Sequence, residues 1–136
     1  MPASYDDSQW PKVEVRWTGV VTDAELTDFL QRMDAWLRRG EPFSLLLDSR
    51  GAWGLDSAQR KRVLEAMHQT SAQTGTLLVQ AVVFDNAIQR ALYFAVMWAF
   101  PMPFPSKTFA EVEPARRWLE VQLRSKGGEP RSPVLS

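Results

Sequence analysis

The chain has no cysteine among its 136 residues, a single histidine, and equal numbers of basic and acidic side chains, 16 of each. The lack of cysteine excludes disulfides, thiolate metal ligands and a cysteine nucleophile. The lack of net charge removes the long-range attraction that draws a protein onto nucleic acid or an acidic membrane surface. We therefore predict no nucleic-acid partner.

The sequence also lacks the residue patterns that bind cofactors or carry catalysis. We find no glycine-rich phosphate loop and no cluster with metal-ligand spacing, so we predict no enzyme activity, no cofactor and no metal site. The segment MPASYDDSQW has neither the basic nor the apolar region of a signal peptide, which favours a cytoplasmic location. The length suits one domain, which we assign to residues 1–124, and we predict a disordered C-terminal tail over residues 125–136.

Strand-like and helix-like segments alternate along the chain. Strands are predicted at residues 12–17, 43–47 and 77–84, with a short edge strand at 108–109. Helices are predicted from about residue 22 to Gly40, over 57–74, from 87 to about 100, and around 114–123. This alternation predicts an α/β domain with a four- to five-stranded, largely parallel or mixed sheet flanked by about four helices.

The first helix has the clearest start signal in the chain. Thr22 and Glu25 have the spacing of a capping box, in which each side chain accepts a hydrogen bond from the backbone of the other. Apolar residues then recur at helical spacing, which predicts one buried face on the sheet. The members of that face are Leu26, Phe29, Leu30, Met33 and Leu37.

The segment FSLLLDSRGAWGLDS at residues 43–57 combines a buried-type strand with a glycine-punctuated loop. Loops that follow buried strands commonly carry function. Trp53 lies between two glycines, where no periodic face accounts for it, and we interpret it as an aromatic anchor for a protein partner. The candidate interaction loop consists of Asp48, Ser49, Arg50, Trp53, Asp56 and Ser57.

Asp48 and Asp56 invite a second interpretation as paired carboxylates for acid-base chemistry or cation binding. No histidine, cysteine or third acid lies nearby in the sequence to complete such a site. We therefore favour a loop-capping role for these carboxylates.

The third helix, with the segment ALYFAVMWAF, is apolar nearly all round. About 14 residues give roughly 21 Å, too short for a hydrocarbon core of about 30 Å, so we predict no membrane span. We expect Ala87, Ala91, Phe94 and Ala95 to face the sheet. The remaining surplus should form an apolar interface in a homodimer or other complex, or line a pocket for a hydrophobic ligand. Its candidate members are Tyr93, Met97, Trp98, Met102 and Phe104.

Three segments together resemble the STAS family of sulphate-transporter and anti-sigma-factor-antagonist domains, in particular its SpoIIAA-like (STAS/SEC14-like) branch. They are RWTG at residues 16–19, LLLDSRGAWGLDS at 45–57 and TFAEVEPARRWL at 108–119. The resemblance implies a non-enzymatic regulatory module that binds proteins. The SEC14-like side of the branch implies the alternative, a pocket for a lipid or other hydrophobic ligand.

In the anti-sigma-factor antagonists of this family, a serine that follows Asp-Ser is phosphorylated to break partner binding. That position is Ala58 in this sequence, and alanine has no hydroxyl to phosphorylate. The resemblance therefore implies a module without the family's phosphoserine switch. Ser57 keeps a hydroxyl, which we interpret as the N-cap of the second helix.

Overall fold

The computed structural model describes residues 3–51, 56–74, 76–99 and 104–125. Over these ranges it contains a five-stranded mixed sheet and four helices, which confirms the predicted α/β class. The predicted C-terminal tail lies outside the described residues, apart from its first residue, which ends the last helix. The elements in chain order are β1 (Ala3–Gln9), β2 (Lys12–Trp17), α1 (Asp23–Arg38), β3 (Phe43–Asp48), α2 (Ser57–Thr74), β4 (Leu77–Val83), α3 (Ala87–Ala99), β5 (Ser106–Phe109) and α4 (Val112–Ser125).

The strands lie in the sheet in chain order, from β1 at one edge to β5 at the other. β1 is antiparallel to β2, and all later neighbours are parallel. Successive right-handed crossovers that advance in one direction place their helices on one face of a sheet. Accordingly α1, α2 and α3 lie on one face, and α4 alone covers the other.

The core below α1 follows the predicted helical stripe. Four predicted members are buried and Leu30 is partly buried, and they pack on alternate residues of β2 and β3. Val13 and Val15 supply the strand side of this contact. The capping box at Thr22 and Glu25 is present, and the helix ends just before Gly40, which has a left-handed φ of 72°. The predicted first helix is thereby confirmed.

β1 was not anticipated. Its sequence, ASYDDSQ, is polar, and only its first residue is buried, because β1 is an edge strand with one neighbour. Two side chains attach it to α1: Tyr5 packs edge-on against Trp36, and the indole nitrogen of Trp36 donates a hydrogen bond to Asp7 at 3.0 Å. Trp36 is buried as well, and the apolar spacing alone had not included it in the core.

In the part of the chain that the structure describes, no helix is long and apolar enough to cross a membrane. The same residues contain no group of three or more histidine or acidic side chains arranged to hold a metal ion.

Candidate functional site

The loop after β3 begins at Asp48, whose side chain is almost entirely buried. Its carboxylate accepts hydrogen bonds from Nε and a terminal nitrogen of the Arg50 guanidinium, both at 2.9 Å, and from the Arg50 backbone N–H at 3.2 Å. Burial acts to raise the pKa of Asp48, but the hydrogen bonds and charge of Arg50, with the charge of Arg16, outweigh burial and lower the pKa. Asp48 is therefore a fixed anion whose oxygens are occupied by arginine.

Backbone hydrogen bonds hold this loop across the ends of three parallel strands. The N–H of Ser49 donates to the carbonyl of Val83 at the end of β4, at 2.8 Å. The N–H of Gly19, beyond β2, donates to the carbonyl of Gly51 at 2.9 Å. Gly51 has a φ of 79°, a backbone conformation that glycine adopts without steric cost. The next four residues, including the predicted anchor Trp53, lie outside the described residues.

The predicted capping role of Ser57 is wrong, because Asp56 caps α2. The Asp56 carboxylate accepts a hydrogen bond from the backbone of Gln59 at 2.8 Å, and the Gln59 side chain accepts one from the backbone of Asp56 at 3.1 Å. This is the reciprocal geometry of a capping box, with aspartate in the place of serine or threonine. Ser57 is the first helical residue, and its side chain is exposed.

Gln59 is a buried residue that the sequence analysis did not single out. Its amide nitrogen donates to the carbonyl of Val21 and to the carboxylate of Asp23, both at 3.0 Å. Through Gln59 the start of α2 is attached to the start of α1. Asp48 and Asp56 therefore have separate partners, Arg50 and the α2 backbone, and the loop-capping interpretation describes them better than a shared acid-base pair.

The orientation of α3 differs from the prediction. Tyr93 faces the sheet: its hydroxyl lies 2.6 Å from the hydroxyl of Ser106 on β5 and 2.9 Å from the side-chain nitrogen of Gln80 on β4. Phe94, which was expected to face the sheet, is 70% exposed, and the other residues expected on that side, Ala87, Ala91 and Ala95, are exposed as well. The physical reason is that Gln80 and Ser106 are adjacent polar residues on this sheet face, and the Tyr93 hydroxyl hydrogen-bonds with both.

The candidate apolar surface is therefore only partly at the surface. Trp98 is 81% exposed, Met97 is half-buried, and Met102 lies outside the described residues. Phe104 is buried in the cluster beneath α1, so it and Tyr93 are not available to an interface. Both residues pack inside the domain next to β5, the edge strand. Tyr93 contacts Ser106 of β5, and Phe104 comes just before β5 in the chain.

The outer face of α3 carries other apolar residues in place of Tyr93 and Phe104. The side chains of Ile88, Leu92 and Phe94 are exposed together with Trp98, and Ala87, Ala91, Ala95 and Ala99 recur between them at every fourth position. Arg90 carries the only charge in the helix, and its guanidinium turns inward to donate to the carbonyl of Phe84. We call the four large apolar residues and the four alanines together the outer face of α3. This face carries no charged side chain.

The fold and the sequence together place the chain in a family. The pattern of the SpoIIAA-like family matches residues 12–120, from the start of β2 to the middle of α4. The chain belongs to the SpoIIAA-like family. The resemblance to a STAS-like domain is thereby confirmed over most of the chain, and β1 lies outside the matched range.

A solved structure shows the same fold. The chain is similar to an uncharacterized protein of the DUF3478 family with a SpoIIAA-like fold from Shewanella loihica PV-4, with a TM-score of 0.64 and 17% sequence identity. The similarity covers 86% of this chain and 91% of that one. No curated protein matches the sequence.

Proposed function

We propose that this SpoIIAA-like domain is a non-enzymatic interaction module that pairs with a second copy of itself through the outer face of α3. The observation that carries the proposal is the exposure of three large apolar side chains on one helix: Ile88 at 79%, Phe94 at 70% and Trp98 at 81%. Large apolar side chains grouped on a surface mark interaction sites, and tryptophan is the residue most enriched at energetic centres of interfaces.

A second copy suits this surface because the outer face of α3 has no charge. A surface without charge meets its own copy without like-charge repulsion. Its alanines, four residues apart, lie along one line of the helix and allow two helices to approach closely. In an antiparallel pair the two helix dipoles also point in opposite directions and attract each other. The helix is about 20 Å long at 1.5 Å per residue, which provides a continuous seam for such a pair.

The test is sedimentation velocity of the wild type and the variant Trp98→Glu. We expect a wild-type dimer and a Trp98→Glu monomer, because the variant places a carboxylate in an apolar interface. The matched control is Val121→Glu, which adds the same charge to an exposed residue of α4, on the other face of the sheet, and should remain dimeric. A wild type that sediments as a monomer, or a Trp98→Glu protein that stays dimeric with a native circular dichroism spectrum, would contradict the proposal.

We further propose that this module works without the phosphoserine switch of the anti-sigma-factor antagonists. Ala58 occupies the position that the resemblance assigns to the phosphorylated serine, so this sequence reads Asp-Ser-Ala at residues 56–58 in place of Asp-Ser-Ser. Intact-mass analysis of the protein from its native cell tests this. We expect the unmodified mass; stoichiometric phosphate on Ser57 would show that the switch exists one residue earlier.

A second candidate function, binding of a lipid or other hydrophobic ligand, is favoured by one observation beneath α3. Among the residues that the structure describes, none donates a hydrogen bond to the buried side-chain oxygen of Gln80, which lies next to the hydroxyls of Tyr93 and Ser106. A ligand with an apolar body and one donor group would satisfy this oxygen if it entered between α3 and the sheet. Native mass spectrometry of the purified protein distinguishes the two functions: a co-purified hydrophobic molecule supports the pocket, and a ligand-free dimer supports the interface.

A further inference from the structure

The 13 residues of α3 divide into a sheet-facing half and an outer half, with Tyr93 at the centre of the helix. The sheet-facing residues are partly buried and all the others are exposed; the sheet-facing ones are Gln89, Arg90, Tyr93, Val96 and Met97. At 3.6 residues per turn, every residue of the outer face lies within about 80° of the direction opposite Tyr93. Tyr93 therefore marks both the inward side of α3 and its midpoint along the axis.

The outer face of α3 is a palindrome in side-chain size about that midpoint. Ile88 and Trp98 lie five positions before and after Tyr93. Leu92 and Phe94 lie immediately before and after it, and alanines occupy the second and sixth positions on each side. Helical geometry makes outward positions symmetric about an inward-facing centre, but it does not match large residues with large ones and alanines with alanines. The match of residue types is a property of this sequence.

A palindrome of this kind is what a two-fold axis requires of a helix that pairs with its own copy. In such an interface every contact occurs twice, so the surface has to be complementary to itself. Consider two antiparallel copies of α3 with their Tyr93 positions side by side, an arrangement we call the centred register. Each residue before Tyr93 is then level with the residue equally far after it in the other copy. Ile88 is level with the partner's Trp98.

In the centred register large side chains lie over small ones. Ile88 and Trp98 project about 40° to opposite sides of the outward direction, so level residues pass beside each other and do not collide. The partner's Trp98 lies over the groove between Ala87 and Ala91, which project to the same side. By symmetry the partner's Ile88 lies over the other two alanines. Large side chains in the gaps of a facing helix are the normal way in which helices pack.

A shift of one helical turn in either direction loses this fit. One shift moves the partner's Trp98 beyond the start of α3, where no alanine groove remains. The other shift brings the partner's Trp98 level with Leu92 and against Phe94, so that large side chains compete for one space. Either shift also shortens the overlap from 13 residues to about nine. The centred register uses the whole helix.

The exposed apolar area is sufficient for a pair. Large apolar side chains present roughly 150–250 Å² each, so four of them at exposures from 47% for Leu92 to 81% for Trp98 offer on the order of 500 Å² per copy. Two copies would bury about 1,000 Å², the lower limit for a specific interface, before the alanines are counted.

We infer that two copies of α3 pair in the centred register, with each Trp98 packed on the partner's Ala87 and the partner's Ala91. The inference rests on the proposed function, because it presupposes pairing through the outer face of α3. It adds the direction of the two helices, their alignment and the residues that touch. The alanines of α3 thereby become contact residues that determine how the two copies fit.

The experiment is disulfide mapping, which the chain permits because it contains no cysteine. Ala91→Cys and Ala95→Cys, with tags of different length, are mixed under reducing conditions until subunits exchange, and are then oxidised. In the centred register the β-carbons of Ala91 and the partner's Ala95 come within about 4 Å, the separation of a disulfide. Ala91 and the partner's Ala91 stay about 6 Å apart along the axis. We expect the mixed disulfide to form at least about tenfold faster than either homodimeric one.

The products distinguish this register from every other arrangement. A homodimeric disulfide of Ala91→Cys alone, or of Ala95→Cys alone, would show a pair shifted by one turn and overturn the centred register. Fast homodimeric disulfides of both variants would show parallel helices and overturn it as well. A wild type that sediments as a dimer while neither the variants nor their mixture form a disulfide would refute the register and leave the proposed interface standing. A wild type that sediments as a monomer, alone or with a hydrophobic molecule or another protein bound, would overturn both.

A size change tests the groove under the tryptophan. Ala91→Ile fills the space that the partner's Trp98 occupies, and should raise the dissociation constant of the dimer at least about tenfold, because overpacking displaces a fitted side chain. Ala35→Ile is the matched control, since Ala35 is an exposed residue of α1, and its dimer should be as tight as the wild type. An Ala91→Ile dimer as tight as the wild type would contradict the packing of Trp98 on this groove.

Discussion

α1 and α3 lie on the same face of one sheet and are held in opposite ways. α1 is the more polar helix, yet it buries five side chains in the core. α3 is apolar over most of its 13 residues, and none of them is fully buried. The difference shows that the periodic order of apolar residues, and not their number, fixes a helix to a sheet. A helix that is apolar all round can bury only one side against its own domain.

The two helices are also attached by different chemistry. α1 contributes Phe29 and Met33 to a continuous apolar cluster with β2 and β3. α3 is attached through the Tyr93 hydroxyl, which joins Gln80 and Ser106, and through the ring contact of Tyr93 with Phe84. α1 is thus fixed by apolar burial, and α3 by a polar contact that leaves its apolar surplus outside.

The largest expected effect tests this comparison with one residue type on two helices. Phe29→Ala should lower the free energy of unfolding by about 3–5 kcal/mol, because Phe29 is 2% exposed and its removal leaves a cavity. Phe94→Ala, a change of the same size on α3, should lower it by less than about 1 kcal/mol in the monomer. Chemical denaturation at low protein concentration measures both. Equal losses would show that α3 is as buried as α1.

The next effect concerns the polar attachment of α3. Tyr93→Phe should lower the free energy of unfolding by about 1–2 kcal/mol, because it removes one hydroxyl from a buried group of three polar side chains. Tyr5→Phe is the matched change on the α1 side. The comparison fails if Tyr93→Phe is as stable as the wild type.

Alkaline pH tests the same attachment without a cavity. Burial raises the pKa of Tyr93, more than its hydrogen bonds to Ser106 and Gln80 lower it, and burial together with the charge of Asp28 raises the pKa of Tyr5 to about 12. A folded-state pKa above the unfolded value of 10 means that this stabilisation is complete below pH 10 and is lost as pH rises through the folded-state pKa. Between pH 8 and 11, the wild type should therefore lose more stability than Tyr93→Phe, measured by denaturation at both pH values.

A smaller effect should be similar for all three capped helices. Thr22→Ala at α1, Asp56→Ala at α2 and Asn86→Ala at α3 should each lower the free energy of unfolding by about 1 kcal/mol, because each side chain accepts a backbone hydrogen bond in the first turn. Ser57→Ala is the control and should change it by less than about 0.5 kcal/mol, since Ser57 is exposed and does not cap. A larger effect at Ser57 than at Asp56 would reverse the assignment of the cap.

The residues that were predicted correctly share a short range of interaction. Thr22 and Glu25 are three positions apart, and Leu26, Phe29 and Met33 repeat within two turns of one helix, so their pattern is visible along the chain. β1 was missed for the opposite reason: its polar sequence becomes a strand because β2 lies alongside and because Trp36, far along the chain, donates to Asp7. An edge strand of this kind leaves little signal in its own residues.

The candidate site shows the same difference between features set by neighbouring residues and features set by residues far apart in the chain. The sequence located the loop at Asp48 and the apolar surplus of α3, but it did not predict the Asp48–Arg50 contact, the role of Gln59, or the side of α3 that faces the sheet. These features depend on residues that meet only after folding. The ion pair between Lys12 and Glu120 likewise joins residues from opposite ends of the chain.

By itself, the amino-acid sequence determined the alternation of strands and helices, the starts of α1 and α3, and membership of a STAS-like family, because caps and apolar periodicity act between residues within one or two turns. Only the tertiary structure decided which side of α3 is outside and that Asp56, not Ser57, caps α2. The physical reason is that a side chain's exposure depends on which residues of other elements pack against it. For Tyr93 that is Gln80 and Ser106, and for Trp98 no residue of the described domain buries it.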